Sequence, residues 1–136
     1  MCILIRNGIE RVKKGKAIKV VTNNPLLKEE DDVLFVDGTF KDVLVKVRDM
    51  VYAGHELISH PLFASSRMMF SPFRTVLVGD KREKPSDFEC QVIEDAIMTY
   101  DVSTARRNRQ PEHDDDYAYL DQSLYFSTLE EISYLK

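Results

Sequence analysis

The sequence predicts an α/β fold: a small sandwich with a mostly parallel sheet of about four strands flanked by helices, and a C-terminal helical pair. Three observations favour this fold class. Apolar runs such as residues 33–36 are continuous rather than alternating, as in strands that are buried on both faces of a parallel sheet. Between two of these runs lies a segment with helical spacing, as in a strand–helix–strand crossover. Two further helical segments follow the last apolar run.

Short apolar runs bounded by turn residues are the predicted strands. These runs are residues 16–21, 33–36, 57–58 and 75–78. The first run ends before Asn23 and Asn24, because Pro25 excludes the helical region at Asn24 and asparagine favours turns. Gly79 is expected to stop the last strand.

The segment after Gly38 predicts the first helix. Thr39 and Asp42 have the spacing of a capping box, and Gly54 is placed to end the helix as a left-handed cap. Apolar residues at steps of three and four define one face that should be buried. These residues are Phe40, Val43, Leu44, Val47, Met50 and Val51.

Two C-terminal segments are the predicted helical pair. The first begins at Ser86, with Glu89 in the capping-box position, and runs to about residue 107. Its predicted buried face is Phe88, Val92, Ile93, Ala96, Ile97 and Tyr100. The second helix runs from about residue 115 to residue 134, and its looser stripe is Leu120, Leu124, Leu129 and Ile132.

Length and charge exclude several classes of protein. A chain of 136 residues fits one domain, 1–136, with its core at 16–109 and a C-terminal helix at about 115–134. The net charge of −4 argues against nucleic acid as a partner. The one dense basic cluster, residues 106–109, could contact phosphates, but it has no interleaved aromatic residues and is better explained as a solvated helix end. No apolar run approaches the roughly 20 residues of a membrane span. The apolar run at residues 2–5 is too short for a secretion signal, so we expect a cytoplasmic protein.

Polar residues collect where the predicted strands end. In a parallel sheet these ends share one edge, where open α/β sheets bind ligands. Amide side chains, free helix amides, hydroxyls and an arginine would together suit a small anionic ligand. The candidate ligand-binding residues are Asn23, Asn24, Gly38, Thr39, His60, Ser66 and Arg67. The alternative is that the asparagines and Gly38 are turn residues and that Thr39 is only a helix cap.

His60 is the candidate catalytic residue, because the pKa of histidine lies near neutrality. Ser66 lacks the flanking glycines of a nucleophile elbow, and no other motif pairs a nucleophile with a base. His55, Glu56 and His60 are spaced one residue too far apart for the zinc motif His-Glu-x-x-His. The sequence therefore predicts no metal and no cofactor, and it favours a non-catalytic protein over an enzyme.

Two segments of the chain resemble the GrdX family. One is Thr-Asn-Asn-Pro-Leu at residues 22–26, which follows an apolar strand. The other is residues 47–62, which combine Val-Arg-Asp, Gly-His and His-Pro-Leu at fixed spacing. The resemblance covers roughly residues 17–100. It implies an accessory setting beside the glycine, sarcosine and betaine reductases of amino-acid fermentation, without implying a reaction, and it suggests a reductase component as a partner.

Two functional hypotheses follow. The first is a non-catalytic accessory protein that binds a ligand or a partner. The alternative is a small enzyme in which His60 acts as general acid or base, while Arg48 or Arg67 holds an anionic substrate.

Overall fold

The structure is a computed structural model that describes residues 18–105 and 111–134, with four strands and three helices in this part of the chain. The strands are β1 (Lys19–Thr22), β2 (Val33–Phe35), β3 (His55–Leu57) and β4 (Thr75–Lys81). The helices are α1 (Phe40–Tyr52), α2 (Asp87–Thr104) and α3 (Asp114–Tyr134). The strands form one sheet in the order β2-β1-β4-β3, so the predicted α/β class and the number of strands are confirmed.

The sheet is mixed, so the prediction of a mostly parallel sheet is wrong. β1 pairs in parallel with β2, but β4 is antiparallel to both of its neighbours, β1 and β3. The physical reason lies in the connection from β3 to β4. It contains only a short 3-10 turn, Ser66–Phe70, and no helix that would carry the chain back across the sheet. A parallel neighbour requires such a crossover, whereas a chain that re-enters the sheet at the edge where it left must run antiparallel.

Three of the strands nevertheless run in the same direction. β3 is antiparallel to β4, which is antiparallel to β1, so β3 points the same way as β1 and β2. These three strands therefore end at one edge of the sheet, where β4 begins; we call it the carboxyl edge. The segments that follow β1, β2 and β3 all start there.

Helix α1 forms as the sequence predicts. The Thr39 hydroxyl accepts a hydrogen bond from the Asp42 backbone N–H, and the Asp42 carboxylate accepts one from the Thr39 N–H, which completes the capping box. The predicted apolar stripe is buried along its whole length. Gly54 follows the helix with φ of 113°, where any Cβ would lie 2.5 Å from the Arg82 carbonyl oxygen. Only glycine fits this position without strain.

Apolar clusters cover both faces of the sheet. Successive strand residues point to opposite faces, and accordingly Val21 belongs to a cluster with α1 and α2, while Val20 belongs to a second cluster with Tyr125 and Ile132 of α3. Helix α2 packs on α1. The predicted pairing of the two C-terminal helices is not confirmed, because α3 buries Tyr125 and Ile132 in the second cluster and only packs Tyr117 and Leu124 against the first.

The structure corrects three local predictions. Strand β4 continues through Gly79 to Lys81, because β3 pairs with it over this stretch and His55 lies opposite Lys81. Phe88 is 62% exposed instead of buried. The Ser86 hydroxyl caps α2, but the Glu89 carboxylate accepts hydrogen bonds from the Leu57 N–H and from Arg82 instead of returning to Ser86.

Candidate functional site

Asn23 fastens three segments together at the carboxyl edge. Its Nδ2 donates to the carbonyl oxygens of Gly38, at 2.9 Å, and Pro72, at 2.8 Å. Its Oδ1 accepts from the Arg74 backbone N–H at 2.9 Å. Both N–H donors of the Asn23 amide are therefore engaged in hydrogen bonds within the protein. Asn23 positions the loops before α1 and β4.

Asn24 ties β1 to helix α3. Its Nδ2 donates to the Ala118 carbonyl at 2.9 Å and to Oδ2 of Asp121 at 3.0 Å, and its Oδ1 accepts from the Leu26 N–H at 3.0 Å. The side chain is fully buried. The bond from the Leu26 N–H agrees with the turn interpretation, the bonds to Ala118 and Asp121 connect distant segments, and the role of Asn24 as a ligand-binding residue stays a prediction.

A chain of hydrogen bonds leads into the buried carboxylate of Asp121. The Asn24 N–H donates to the Thr22 hydroxyl at 3.0 Å, the Thr22 and Thr75 hydroxyls are bonded at 2.8 Å, and the Thr75 hydroxyl donates to Asp121 at 2.6 Å. Each bond in such a chain polarises the next one. Burial raises the pKa of Asp121, and the nearby Arg74 charge and the bonds from Thr75 and Asn24 oppose that rise.

Arg74 is a buried cation that holds the segment containing His60. The side chains of Arg74 and Asp121 are 1% and 0% exposed, and Nη1 of Arg74 lies 3.9 Å from Oδ1 of Asp121. Its Nε donates to the Pro61 carbonyl at 2.7 Å, and its Nη2 donates to the carbonyls of His60, at 2.7 Å, and Leu62, at 3.3 Å. The guanidinium carbon lies 4.1 Å from the centre of the Phe63 ring. Arg74 thus connects α3 to the loop after β3.

The His60 ring is engaged with its own loop. The Leu62 backbone N lies 3.1 Å from Nδ1 and the Leu62 carbonyl oxygen lies 3.4 Å from it, so Nδ1 accepts from the N–H in one neutral tautomer and donates to the carbonyl in the other. Burial lowers the pKa of His60, the hydrogen bond to the Leu62 backbone opposes that change, and the Arg74 charge adds to it. A neutral, loop-bound ring is the geometry of a structural histidine, and the catalytic role of His60 stays a prediction.

We expect His60→Asn to remove a pH dependence of stability without unfolding the protein. Asparagine can accept the same Leu62 N–H but does not titrate. The folded-state pKa of His60 lies below the ordinary value of 6.5, so the unfolded state binds the proton more readily. The wild type should therefore lose stability relative to the variant as the pH falls below that value. Urea denaturation of both proteins at pH 7.5 and at about pH 5.5 measures the difference in the free energy of unfolding. If that free energy changes equally in both proteins between the two pH values, the lowered pKa of His60 is contradicted.

The Asp42 side chain places a carboxylate at the N-terminus of α1. The Asp42 Oδ2 lies 2.8 Å from the Thr39 N, and the Asp42 N lies 3.1 Å from the Thr39 Oγ1. This capping box occupies two of the groups that an anion would otherwise contact, and it places a negative charge beside them. The geometry therefore does not favour an anion at this helix end.

Several of the predicted site residues lie at the same edge of the sheet, while their joint role in one ligand site stays a prediction. Asn23 and Gly38 are bonded to each other, and His60 is joined to the same edge through Arg74. Gly38 and Thr39 line a cavity that Asn23, Asn24 and His60 do not line. Arg67 is exposed on the 3-10 turn that Ser66 begins. The side chain of Ser66 lies outside what the structure describes.

A cavity of about 310 Å³ lies beside the N-terminus of α1. Its lining comes from α1, from the segment before β4 and from the end of α2. The lining residues are Gly38, Thr39, Phe40, Met69, Phe70, Ser71, Pro72, Phe73, Tyr100 and Thr104. The rings of Phe40 and Tyr100 are stacked, with centroids 4.6 Å apart. A cavity of this size with mostly aromatic and apolar walls is typical of a small-molecule site.

The polar groups of this cavity are largely bonded within the protein. The Ser71 hydroxyl donates to the Phe73 carbonyl at 2.8 Å, and the Thr104 hydroxyl donates to the Tyr100 carbonyl at 2.8 Å. Tyr100 is the one ordinary titratable side chain in the lining. Burial and the neighbouring Asp101 raise the pKa of Tyr100, so its phenol stays neutral at physiological pH. The walls can hold a molecule but offer no acid–base pair.

A second cavity, of about 290 Å³, lies between the end of α1 and the start of α2. Its lining is Tyr52, Pro85, Asp87, Cys90, Gln91 and Glu94. Burial and the carboxylates of Asp87 and Glu89 raise the pKa of the Cys90 thiol, which therefore stays protonated and weakly reactive. Within residues 18–105 and 111–134, no group of three His, Cys, Asp or Glu side chains is placed to hold a metal ion.

Sequence reasoning missed the groups that organise this edge. Arg74 and Asp121 are far apart in the sequence, and neither belongs to a motif. Phe73 and Tyr100 come from a loop and from a helix end, so no periodic pattern joins them to Gly38. The one available signal was Arg74 itself, a charged residue directly before a strand that is buried on both faces.

The described helices include none that is both long and apolar enough to cross a membrane. The basic cluster at residues 106–109 lies outside the described residues.

Comparisons with known proteins assign the chain to a family. Neither the comparison with curated proteins nor the comparison with solved structures found a match. A family model described as GrdX-like protein matches residues 19–130, which include the whole sheet, helices α1 and α2 and most of α3. The chain therefore belongs to the GrdX-like protein family.

Proposed function

We propose that the chain is a cytoplasmic, single-domain accessory protein of glycine, sarcosine and betaine reductase systems, and that it binds a small molecule without transforming it. The observation that carries the binding role is the cavity of about 310 Å³ at the carboxyl edge. Its position agrees with the general rule that open α/β sheets bind ligands beyond the ends of their strands. The link to the reductases rests on what the family resemblance implies.

The chemistry of the cavity supports binding over catalysis. General acid–base catalysis needs a group whose pKa lies near the working pH. The phenol of Tyr100 is shifted away from that range, and the His60 ring is not part of the lining. The other lining side chains carry no nucleophile beyond hydroxyls that are already bonded to backbone groups.

The charge of the proposed ligand is argued from the contacts at the N-terminus of α1. The sequence predicts a small anionic ligand or a reductase component. The Asp42 carboxylate beside Gly38 and Thr39 disfavours an anion in the cavity, so we propose an uncharged or cationic small molecule. A purified reductase component stays the proposed protein partner, and calorimetric titration of that component with the chain tests it.

We expect a ligand that raises the melting temperature of the wild type to lose this effect in Thr104→Trp. Thr104 is half-buried in the cavity wall at the end of α2, so an indole there should fill the cavity. A ligand that binds only the native state raises the melting temperature, and at a fixed ligand concentration the rise grows with the logarithm of its affinity. A panel of amines, methylated ammonium ions, carboxylates and uncharged ring compounds, screened by thermal shift, measures the effect.

Val102→Trp is the matched control. Val102 lies on the same helix and is 80% exposed, so the same new side chain should point into solvent. The control should respond to the ligand like the wild type. A ligand response that survives Thr104→Trp would place binding elsewhere and would contradict the proposed function.

A further inference from the structure

We infer that Asn23 determines which sizes of ligand the cavity accepts, although its side chain does not line the cavity. The inference rests on the proposed function, since it concerns the molecule that the same cavity would bind. In this role Asn23 is a positioning residue, because it acts on the ligand through the two backbone segments that it holds. Three features support it: the place of its two acceptors in the cavity walls, the geometry of its amide group and the fixed orientation of that group.

The two carbonyl groups that accept hydrogen bonds from Asn23 belong to different walls of the cavity. Gly38 lies in the wall formed by the start of α1, and Pro72 lies in the wall formed by the segment before β4. Nδ2 of Asn23 donates to the Gly38 carbonyl at 2.9 Å and to the Pro72 carbonyl at 2.8 Å. One amide group therefore joins these two walls.

The geometry of the amide group sets the separation of the two walls at this point. The two N–H bonds of an NH2 group lie in one plane and diverge by about 120°. Bonds of 2.9 and 2.8 Å along these directions hold the two carbonyl oxygens about 5 Å apart. Asn23 is only 5% exposed, so water does not readily replace either bond. Moving the walls apart would stretch or break one of the two bonds, which is unfavourable.

The third hydrogen bond of Asn23 fixes the orientation of its amide group. Oδ1 accepts from the Arg74 backbone N–H at 2.9 Å, so the NH2 group points to Gly38 and Pro72. A flipped amide would instead place Oδ1 against two carbonyl oxygens. Arg74 is itself held by its side chain, which donates to the His60 carbonyl at 2.7 Å. The protein thus sets the spacing of the walls itself, and a preorganised cavity favours ligands that fit that spacing.

The third wall of the cavity is attached to the first by a different contact. Tyr100 of α2 stacks on Phe40 of α1, with ring centroids 4.6 Å apart, and the two helices pack on each other. This contact does not involve Asn23. A change at Asn23 should therefore displace the segment before β4 relative to a helix pair that stays in place, so it should alter the width of the cavity without removing its walls.

Asn23→Asp tests the inference with two uncharged ring compounds of different size, benzyl alcohol and 9-anthracenemethanol. Aspartate has nearly the same shape and can still accept from the Arg74 N–H, but it cannot donate to both carbonyls and places an oxygen against them. We expect benzyl alcohol to bind about tenfold more weakly and 9-anthracenemethanol to lose less affinity. Isothermal titration measures both dissociation constants, at a temperature at which circular dichroism shows each protein to be folded.

Thr128→Ala is the matched control for a loss of stability. The Thr128 hydroxyl is buried on α3 and donates to the Leu124 carbonyl at 2.9 Å, so this variant loses a hydrogen bond away from the cavity walls. It should bind both compounds like the wild type. Thr104→Trp should abolish the binding of both, which places them in the cavity. If Asn23→Asp does not fold, Asn23→Ser is the substitute, because serine is too short to join the two carbonyls.

The ratio of the two dissociation constants separates this inference from the proposed function. An unchanged ratio in the Asn23 variant overturns the inference, even if both compounds bind more weakly, and so does an equal shift in Thr128→Ala. In both cases the wild-type cavity still binds a ligand, so the proposed function stands. It also stands if neither alcohol binds but another compound of the panel does, although the inference then fails. If no compound binds in a manner sensitive to Thr104→Trp, both are overturned.

Discussion

Val47→Asp should leave little folded protein. Val47 is fully buried at the centre of the apolar face of α1, where it contacts the cluster that includes Val21, Leu57 and Ile93. An aspartate there would be a buried carboxylate without a partner, a change that costs more than about 4 kcal/mol of unfolding free energy. Urea denaturation followed by circular dichroism measures the loss.

Lys46→Asp is the control for this prediction. Lys46 precedes Val47 on the same helix and is exposed, so the same new residue should change the free energy of unfolding by about 0.5 kcal/mol or less. A soluble Val47→Asp protein with a cooperative transition near that of the wild type would contradict the burial of this face of α1 in the core.

Arg74→Met should destabilise the protein nearly as strongly. The substitution leaves Asp121 buried without its cation and deprives the carbonyls of His60 and Pro61 of their donors. Breaking a buried ion pair by removing one partner costs about 3–5 kcal/mol. Chemical denaturation of the single variant gives the value directly.

A double substitution distinguishes a lost charge from lost packing. Arg74→Met combined with Asp121→Asn removes both charges, so it should be less destabilising than the sum of the two single changes. Lys41→Met is the comparison, because the Lys41–Asp101 pair is about half exposed and should contribute less than about 1 kcal/mol. An Arg74→Met protein as stable as Lys41→Met would contradict the organising role of Arg74.

Local signals explain why parts of the fold could be predicted from the sequence. The capping box of Thr39 and Asp42 acts within four residues, and the apolar spacing from Phe40 to Val51 is a property of one helix. The turn at Asn23 and Asn24 follows from Pro25. In each case the residues that determine the structure are neighbours in the chain, so their spacing carries the information.

Contacts between distant residues explain why the rest could not be predicted. The direction of β4 depends on where the chain re-enters the sheet, and the apolar run at residues 75–78 is the same for either direction. The Arg74–Asp121 pair forms only because α3 packs beside β4. The predicted site residues reach one edge because β1, β2 and β3 share a direction, but the cavity walls come from Phe70–Phe73 and the end of α2, which no motif marks.

Mapping a bound ligand by amide NMR shifts tests the central claim, that the cavity at the carboxyl edge binds a small molecule. The titration uses the compound of the panel that raises the melting temperature most. The account predicts shifts concentrated at Gly38, Thr39 and Ser71, with Gln91 of the second cavity unchanged. Shifts centred on Gln91, or spread over the surface with Gly38 and Ser71 unaffected, would contradict it.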